Sequence, residues 1–282
     1  MSYATFVPKL WAAKILKNLN NAHVFKALGT TEFQEPLQNM GNSIVINSVS
    51  QPTIKDYDRN SPIDTPEYLT GTEQTIDIDQ EKYYNFLIPD IDEVQSKPAL
   101  MSSYTEEASW ALADVMDRFY ASLLHDGVAT GNQLTKISAG TAANDDNLYE
   151  TIVDLNVALD ETNTPGSGRW CVMSPKLMGL LYKDDRFVSF GTSENRSTIR
   201  GAAIGQVLDM KIHVSNNLPT DGSGDPVMIA GYKGAFACVD QMKSLEAFKP
   251  ENQFGDALKE LHVYGAKVIR PDNMARVAVS FA

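Results

Sequence analysis

Four histidines, His23, His125, His213 and His262, are the obvious candidates for acid–base or metal chemistry in this 282-residue sequence. Such work needs a positioned partner, and none of the four has a second histidine at metal-ligand spacing. His125 falls at a predicted helix C-terminus and His213 on the exposed face of a predicted strand. Acidic residues gather at Asp77, Asp79 and Glu81, and again at Asp90, Asp92 and Glu93. A calcium or magnesium site would be their chemistry, yet the DxDxDG order and its turn glycine are missing, so a solvated acidic face is expected. Arg196 and Arg200, four apart, could grip a phosphate or carboxylate, or form part of a surface or subunit contact. Gly166-Ser167-Gly168 and Gly222-Ser223-Gly224 lack the Lys-Ser/Thr of a phosphate loop and read as turns. No GxGxxG, GxSxG or HExxH is present. Cys171 and Cys238 lie in apolar runs, outside any CxxC pair, as small buried hydrophobes. A disulfide between them is possible but less expected in a reducing compartment. The expectation is therefore no catalytic residue, no cofactor and no metal.

Composition supports a packed protein. Hydrophobic residues make up 43%, charged residues 21%, and the net charge is −12. Residues 1–40 carry +2, so the acidity belongs to the remainder. An acidic body argues against sequence-reading of nucleic acid, whose affinity comes from neutralising phosphates. It suits a surface that repels packed DNA, although ordinary solubility explains it equally. No apolar run nears the ~20 residues of a membrane span, and Met1 to Thr5 do not resemble a signal peptide. A cytoplasmic product is expected.

The elements come next. Residues 8–20 read as a short amphipathic helix with Trp11, Ile15, Leu16 and Leu19 on one stripe. Ser43 to Val49 reads as a strand, and Thr75 to Asp79 as its partner. Between them, Gln51 to Gly71 holds Pro52, Pro62 and Pro66 with little to bury, too long a connection for a compact domain. A projecting hairpin fits, reaching roughly 50 to 60 Å at ~3.3 Å per residue. As a whole, the arm of 41–82 has too little apolar surface to fold back on its own subunit. Lys82 to Ile91 reads as a buried strand. A long helix from Pro98 to Asp126 follows, with Met101, Tyr104, Ala108, Ala111, Leu112, Val115, Met116, Phe119 and Leu123 as its stripe and Gly127 as its stop.

Gly127 to Asp145 is small and polar, without an element. Asn147 to Glu161 reads as a helix, Arg169 to Met173 as a strand, and Ser174-Pro175 opens a helix through Tyr182. Asp184 to Gly205 is a loop with Arg186, Arg196 and Arg200. Leu208 to Val214 alternates as a strand. Further strands are expected at 226–230, 235–239, 244–249, 258–270 and 275–281, the last two joined at Pro271-Asp272-Asn273. Helices and strands mix without regular alternation, which favours an α+β class.

This order resembles the major capsid proteins of tailed bacteriophages, the Hong Kong 97 fold. Gly201 to Pro219 and Arg169 to Pro175 are similar to that family's axial domain, and Tyr264 to Pro271 to its closing strand. The resemblance implies an N-terminal arm (1–40), an extended loop (41–82), a peripheral domain with a spine helix (83–140, helix 98–126), an axial domain (141–257) and returning strands (258–282). It implies a self-assembling icosahedral shell of hexamers and pentamers around double-stranded DNA, with no enzymatic activity. A separate scaffolding protein, a portal and non-specific DNA contact are the implied partners, with assembly in the host cytoplasm. An encapsulin-like nanocompartment shell is the alternative, a soluble enzyme a more distant one. Trp11, Pro52, Tyr57, Arg59, Arg196 and Arg200 are the expected subunit contacts. Crosslinking through Lys55 is not expected.

Overall fold

The structure is a computed structural model and describes residues 24–33, 43–49, 52–57, 59, 62, 65–89, 100–140, 147–182 and 206–281. The predicted helix at 8–20, the loop at 184–205, and the contacts expected at Trp11, Arg196 and Arg200 lie outside these residues. The elements are α1 (Phe25–Leu28), β1 (Ser43–Val49), β2 (Gly71–Asp77), β3 (Gln80–Pro89), α2 (Leu100–Gly127), β4 (Gln133–Ala139), α3 (Leu148–Glu161), β5 (Arg169–Met173), α4 (Pro175–Leu181), β6 (Gln206–Val207), β7 (Met210–Val214), β8 (Val227–Tyr232), β9 (Phe236–Phe248), β10 (Gly255–Val268) and β11 (Met274–Phe281). The mixture is α+β, as expected.

A six-stranded sheet, ordered β4-β11-β8-β5-β7-β6, forms the larger body. Its β4–β11 and β5–β7 pairs are parallel and the others antiparallel. Strand alternation explains why all five residues of β5 are buried. Cys171 and Met173 face α3 and α4, joining Ile152, Leu155, Leu159, Leu177 and Leu181. Trp170 and Val172 face the opposite way, joining Phe25, Met116, Tyr120, Leu124, Phe236 and Tyr264. A sheet covered on both faces needs apolar residues on both, and β5 supplies them. The caps of α3 and α4 form as their residues predict: Asn147 accepts from Tyr149 N, and Ser174 accepts from Leu177 N ahead of Pro175. In the 221–225 turn, Asp221 Oδ1 accepts from the backbone N–H groups of Ser223 and Asp225. Lys136 of β4 then binds both Asp221 and Asp225, fastening that edge strand.

The three-stranded sheet β3-β10-β9 carries α2, a helix about 42 Å long. Its buried stripe is Thr105, Ser109, Leu112, Ala113, Met116, Asp117, Tyr120, Ala121 and Leu124. Tyr104, Ala111 and Val115, expected inside, are exposed. Hydropathy misplaced the stripe because three of its inward positions are polar.

Four strand expectations also change. Strand β3 is half-exposed rather than buried, because it is a sheet edge covered on one face; Tyr83 is 78% exposed. Leu208 and Asp209 form the turn between β6 and β7, so the strand begins at Met210. The strands expected at 235–239 and 244–249 are one, β9, and its pairing with β10 shifts register at Leu261/His262 to pass the polar insert. Strand β4, read as polar loop, pairs with β11, where Leu134 and Ile137 pack on the core.

Candidate functional site

The hairpin β1–β2 divides into a docked root and a bare outer part. Its seven pairs run from Ser43↔Asp77 to Val49↔Gly71. On the even-numbered face of the root, Ile44, Ile46 and Ile76 pack with Phe33, Ala237, Val239, Ile78 and Ile269. The Gln74 amide donates to the Ile269 carbonyl at 3.3 Å. Strand β10 approaches so closely that a Cβ on Gly265 would lie 2.2 Å from the Asp77 carbonyl oxygen. The arm as a whole therefore does fold back in part, contrary to expectation: three isoleucines suffice to seat its root. Farther out, the large apolar side chains have no such cover. Ile54 is 94% exposed, Tyr57 73%, Tyr68 99% and Leu69 50%. Pro52 and Arg59, expected contacts beside Tyr57, are exposed as well. Ile54, Tyr68 and Leu69 escaped the sequence reading, although isolated apolar residues in a proline-rich polar stretch were the available signal.

A second set of contacts fixes the start of the described chain against the body. The Asp117 carboxylate, on the inward face of α2, accepts from the backbone N–H groups of Val24 and Phe25, each at 3.1 Å. Asn217 and Ser215 donate to its other oxygen. Burial pushes the Asp117 carboxyl above the usual range, against the pull of these four donors. Thr30 adds a bridge to β9, donating to Phe236 O and accepting from Cys238 N. A carboxylate on the apolar stripe of an amphipathic helix was the overlooked signal for Asp117.

Beneath α2 the sheet holds a polar seam. Glu260 sits directly opposite Tyr84, with His262 next on the same strand. Burial raises the Glu260 carboxyl despite Tyr84 and His262, and burial with Glu260 raises the Tyr84 phenol. His262 Nε2 is 3.6 Å from Asp240 Oδ2, which also binds Lys26 at 2.7 Å. Although burial alone would raise it, the His262 ring and the Lys26 ammonium hold the Asp240 carboxyl at about 2. Glu260 is 2% and His262 1% exposed, so a substrate has no approach to the pair.

The other predicted groups are dispersed. His125 stands in the last turn of α2, where its ring accepts from Arg276 and lies 2.9 Å from Asp126. His213 is half-buried rather than exposed, and burial lowers its pKa with Lys211 adding to the effect. Asp77, Asp79 and Glu81 are exposed at the foot of the arm. Among the described residues no group of three or more His, Cys, Asp or Glu could hold a metal ion. His23, Asp90, Asp92 and Glu93 lie outside the described residues. Cys171 and Cys238 are separate free thiols, and burial pushes each up to about 12. Among the described residues no helix is long and apolar enough to cross a membrane.

Comparison with known proteins finds both a family and solved structures of the same fold. Residues 73–277 match the family described as phage capsid protein. A solved chain from Mycobacterium phage Che8 is 32% identical, with 90% of each chain covered and a TM-score of 0.73. The capsid of cyanophage P-SCSP1u is 20% identical, covering 93% of this chain and 88% of that one at a TM-score of 0.71. A virus-like particle from Pyrococcus furiosus shares the fold at 12% identity, covering 97% and 100% with a TM-score of 0.58. Among curated protein sequences nothing matches.

Proposed function

The chain belongs to the phage capsid protein family, and from that premise we propose that its outer arm clasps neighbouring copies in the icosahedral head of a tailed phage. It is a major capsid protein of the virion, a shell subunit of Hong Kong 97-like fold. The contrast between root and outer arm carries the proposal: Ile44, Ile46 and Ile76 are seated on the body, while Ile54, Tyr57, Tyr68 and Leu69 meet solvent. Large exposed apolar side chains grouped on a projection mark an interaction surface. Many modest contacts then sum over a closed shell.

The proposed units are an N-terminal arm (1–40), the extended loop (41–82), a peripheral domain (83–140), an axial domain (141–257) and returning strands (258–282). Pro52, Tyr57 and Arg59 on the loop, with Trp11, Arg196 and Arg200, are the proposed subunit contacts. Hexamers and pentamers form in the host cytoplasm with a separate scaffolding protein and a portal, and the role is non-enzymatic. The charge of −12 favours loose, non-specific contact with packaged DNA. An encapsulin-like nanocompartment shell is the alternative; the likeness to the virus-like particle from Pyrococcus furiosus, at 12% identity, carries fold alone, whereas the 32% identity to the Che8 chain favours the phage head.

Removing residues 52–70 tests the arm. The expected product is a folded monomer that makes no closed shells in electron micrographs; wild-type shells from it would refute the arm's role.

A further inference from the structure

We propose that Glu260 keeps a proton inside the folded subunit, and that this proton latches α2 onto the three-stranded sheet as a pH-sensitive joint. Residues 260 and 262 alternate along β10, so both point to one face, about 7 Å apart. Ring contacts show what covers them. Tyr104, near the start of α2, lies 6.1 Å from Phe86, while Phe119 and Tyr120 lie 5.4 and 6.1 Å from Tyr264. Phe86 stands opposite Leu258. Glu260 and His262 thus fall between those two anchor points, beneath the middle turns of α2. Both Glu260 oxygens and both His262 ring nitrogens are shut from solvent there, and none of the four has a hydrogen bond among the described residues. Folded proteins bond nearly all buried polar atoms, so these four need a physical account.

The surrounding charges supply it. Facing the pair are Tyr84 and Lys82 from β3, Cys238 and Asp240 from β9, Tyr264 from β10, Asp117 and Tyr120 from α2, and Lys26 from α1. Lys26 is committed to Asp240 at 2.7 Å, and His262 Nε2 stops 3.6 Å from that same carboxylate. Asp117 is held by Val24 and Phe25. Only Tyr84 and His262 draw the Glu260 carboxyl toward its charged form, and burial outweighs both. A carboxylate can only accept, whereas a carboxylic acid can accept from the Tyr84 hydroxyl and also donate to a His262 nitrogen. Ionised, Glu260 is a buried charge with no committed cation, a state that water relieves when α2 lifts. Because burial raises the Glu260 carboxyl above its ordinary 4.5, the latch is complete below that pH and is lost as pH climbs through the folded value. Strand β10 also carries Gly265, against which the arm's root sits, so the latch and that seat share one strand.

Glu260→Gln keeps the side chain's shape and removes its titration. In the full-length subunit, amide protection of α2, corrected for intrinsic exchange at each pH, is expected to fall as pH rises above 4.5. The fall should reach up to about tenfold per pH unit, the limit for one proton. Protection of α3 and β5 should hold steady, and in Glu260→Gln that of α2 should stay level as well. Infrared spectra over the same titration should show a protonated carboxylic acid band that fades in step with α2 protection and is missing from Glu260→Gln. Tyr84→Phe removes a donor that favours the charged form, so it should move the midpoint of both changes to higher pH. If Glu260→Gln does not fold, that shift in Tyr84→Phe, a change on an edge strand, identifies the band in its place. A carboxylate signature throughout the titration would overturn the proposal. So would an α2 slope in Glu260→Gln equal to wild type, or a midpoint that Tyr84→Phe leaves in place.

Discussion

The Lys26 ammonium lies 2.7 Å from the Asp240 carboxylate, joining positions 214 apart in the chain. The pair ties α1 to β9 within a body where both side chains are largely shielded. Removing Lys26 takes the closer basic group away from the shielded Asp240 carboxylate, which keeps His262 at 3.6 Å. Lys26→Met is expected to destabilise by about 3 kcal/mol, lowering Tm by about 6 to 10 °C. Because Asp240 is held at about 2, below its ordinary value, the pair's contribution is complete above pH 4 and is lost as pH falls toward 2. The stability gap between the variant and wild type should therefore narrow as pH falls from about 4 toward 2. Unchanged melting and an unchanged acid limb would show the contact to be idle.

Gly265 offers a sharper steric test. A Cβ there meets the Asp77 carbonyl oxygen at 2.2 Å and Ile78 Cα at 2.9 Å, backbone atoms that cannot rotate aside. Gly265→Ala should cost about 2 to 3 kcal/mol. Amide exchange in β1 and β2 should accelerate as the arm's root lifts, while the six-stranded sheet stays protected. Gly131→Ala, with nothing within 4 Å, is the control expected to change neither.

Asp117 fastens the chain where it enters the described body. Asp117→Ala leaves the Val24 and Phe25 N–H groups without their acceptor, at a cost of about 2 to 3 kcal/mol. Limited proteolysis should then cut near residues 24–30 at protease levels that leave wild type intact. Resistance equal to wild type would assign the hold to Thr30 and the packing of Phe25.

The two cysteines should be silent in the native state. With both thiols buried and raised to about 12, a thiol reagent at pH 8 is expected to find neither, and to find two after denaturation. Rapid labelling of native protein would mean that β5 or β9 opens locally.

Period and capping rules were enough to read α3, α4 and β5, because Asn147, Ser174-Pro175 and the run Trp170 to Met173 each carry their instruction locally. Strand β4 was illegible for the opposite reason. Among the described residues its pairing comes from β11 alone, and Gln133 to Ala139 carries too few apolar residues to announce itself. The stripe of α2 was misplaced because Asp117 and Ser109 face inward, a choice made by Val24, Phe25 and the sheet rather than by helix period. The arm was legible as a projection, but its seated root was not, since that depends on Gly265 letting two backbones meet.

The parallel pairing of β4 with β11 also sets a timetable for synthesis. Gln133 and Arg276 are 143 positions apart, so at roughly 5 to 20 residues per second β4 waits about 7 to 30 s for its mate. Throughout that interval a nascent chain carries β4 without its mate, while an arm exposing Ile54, Tyr57, Tyr68 and Leu69 has already left the ribosome. Crowded polysomes are thus where premature tangling threatens most, and anything that shields the early half of the chain there would raise the yield of usable subunits.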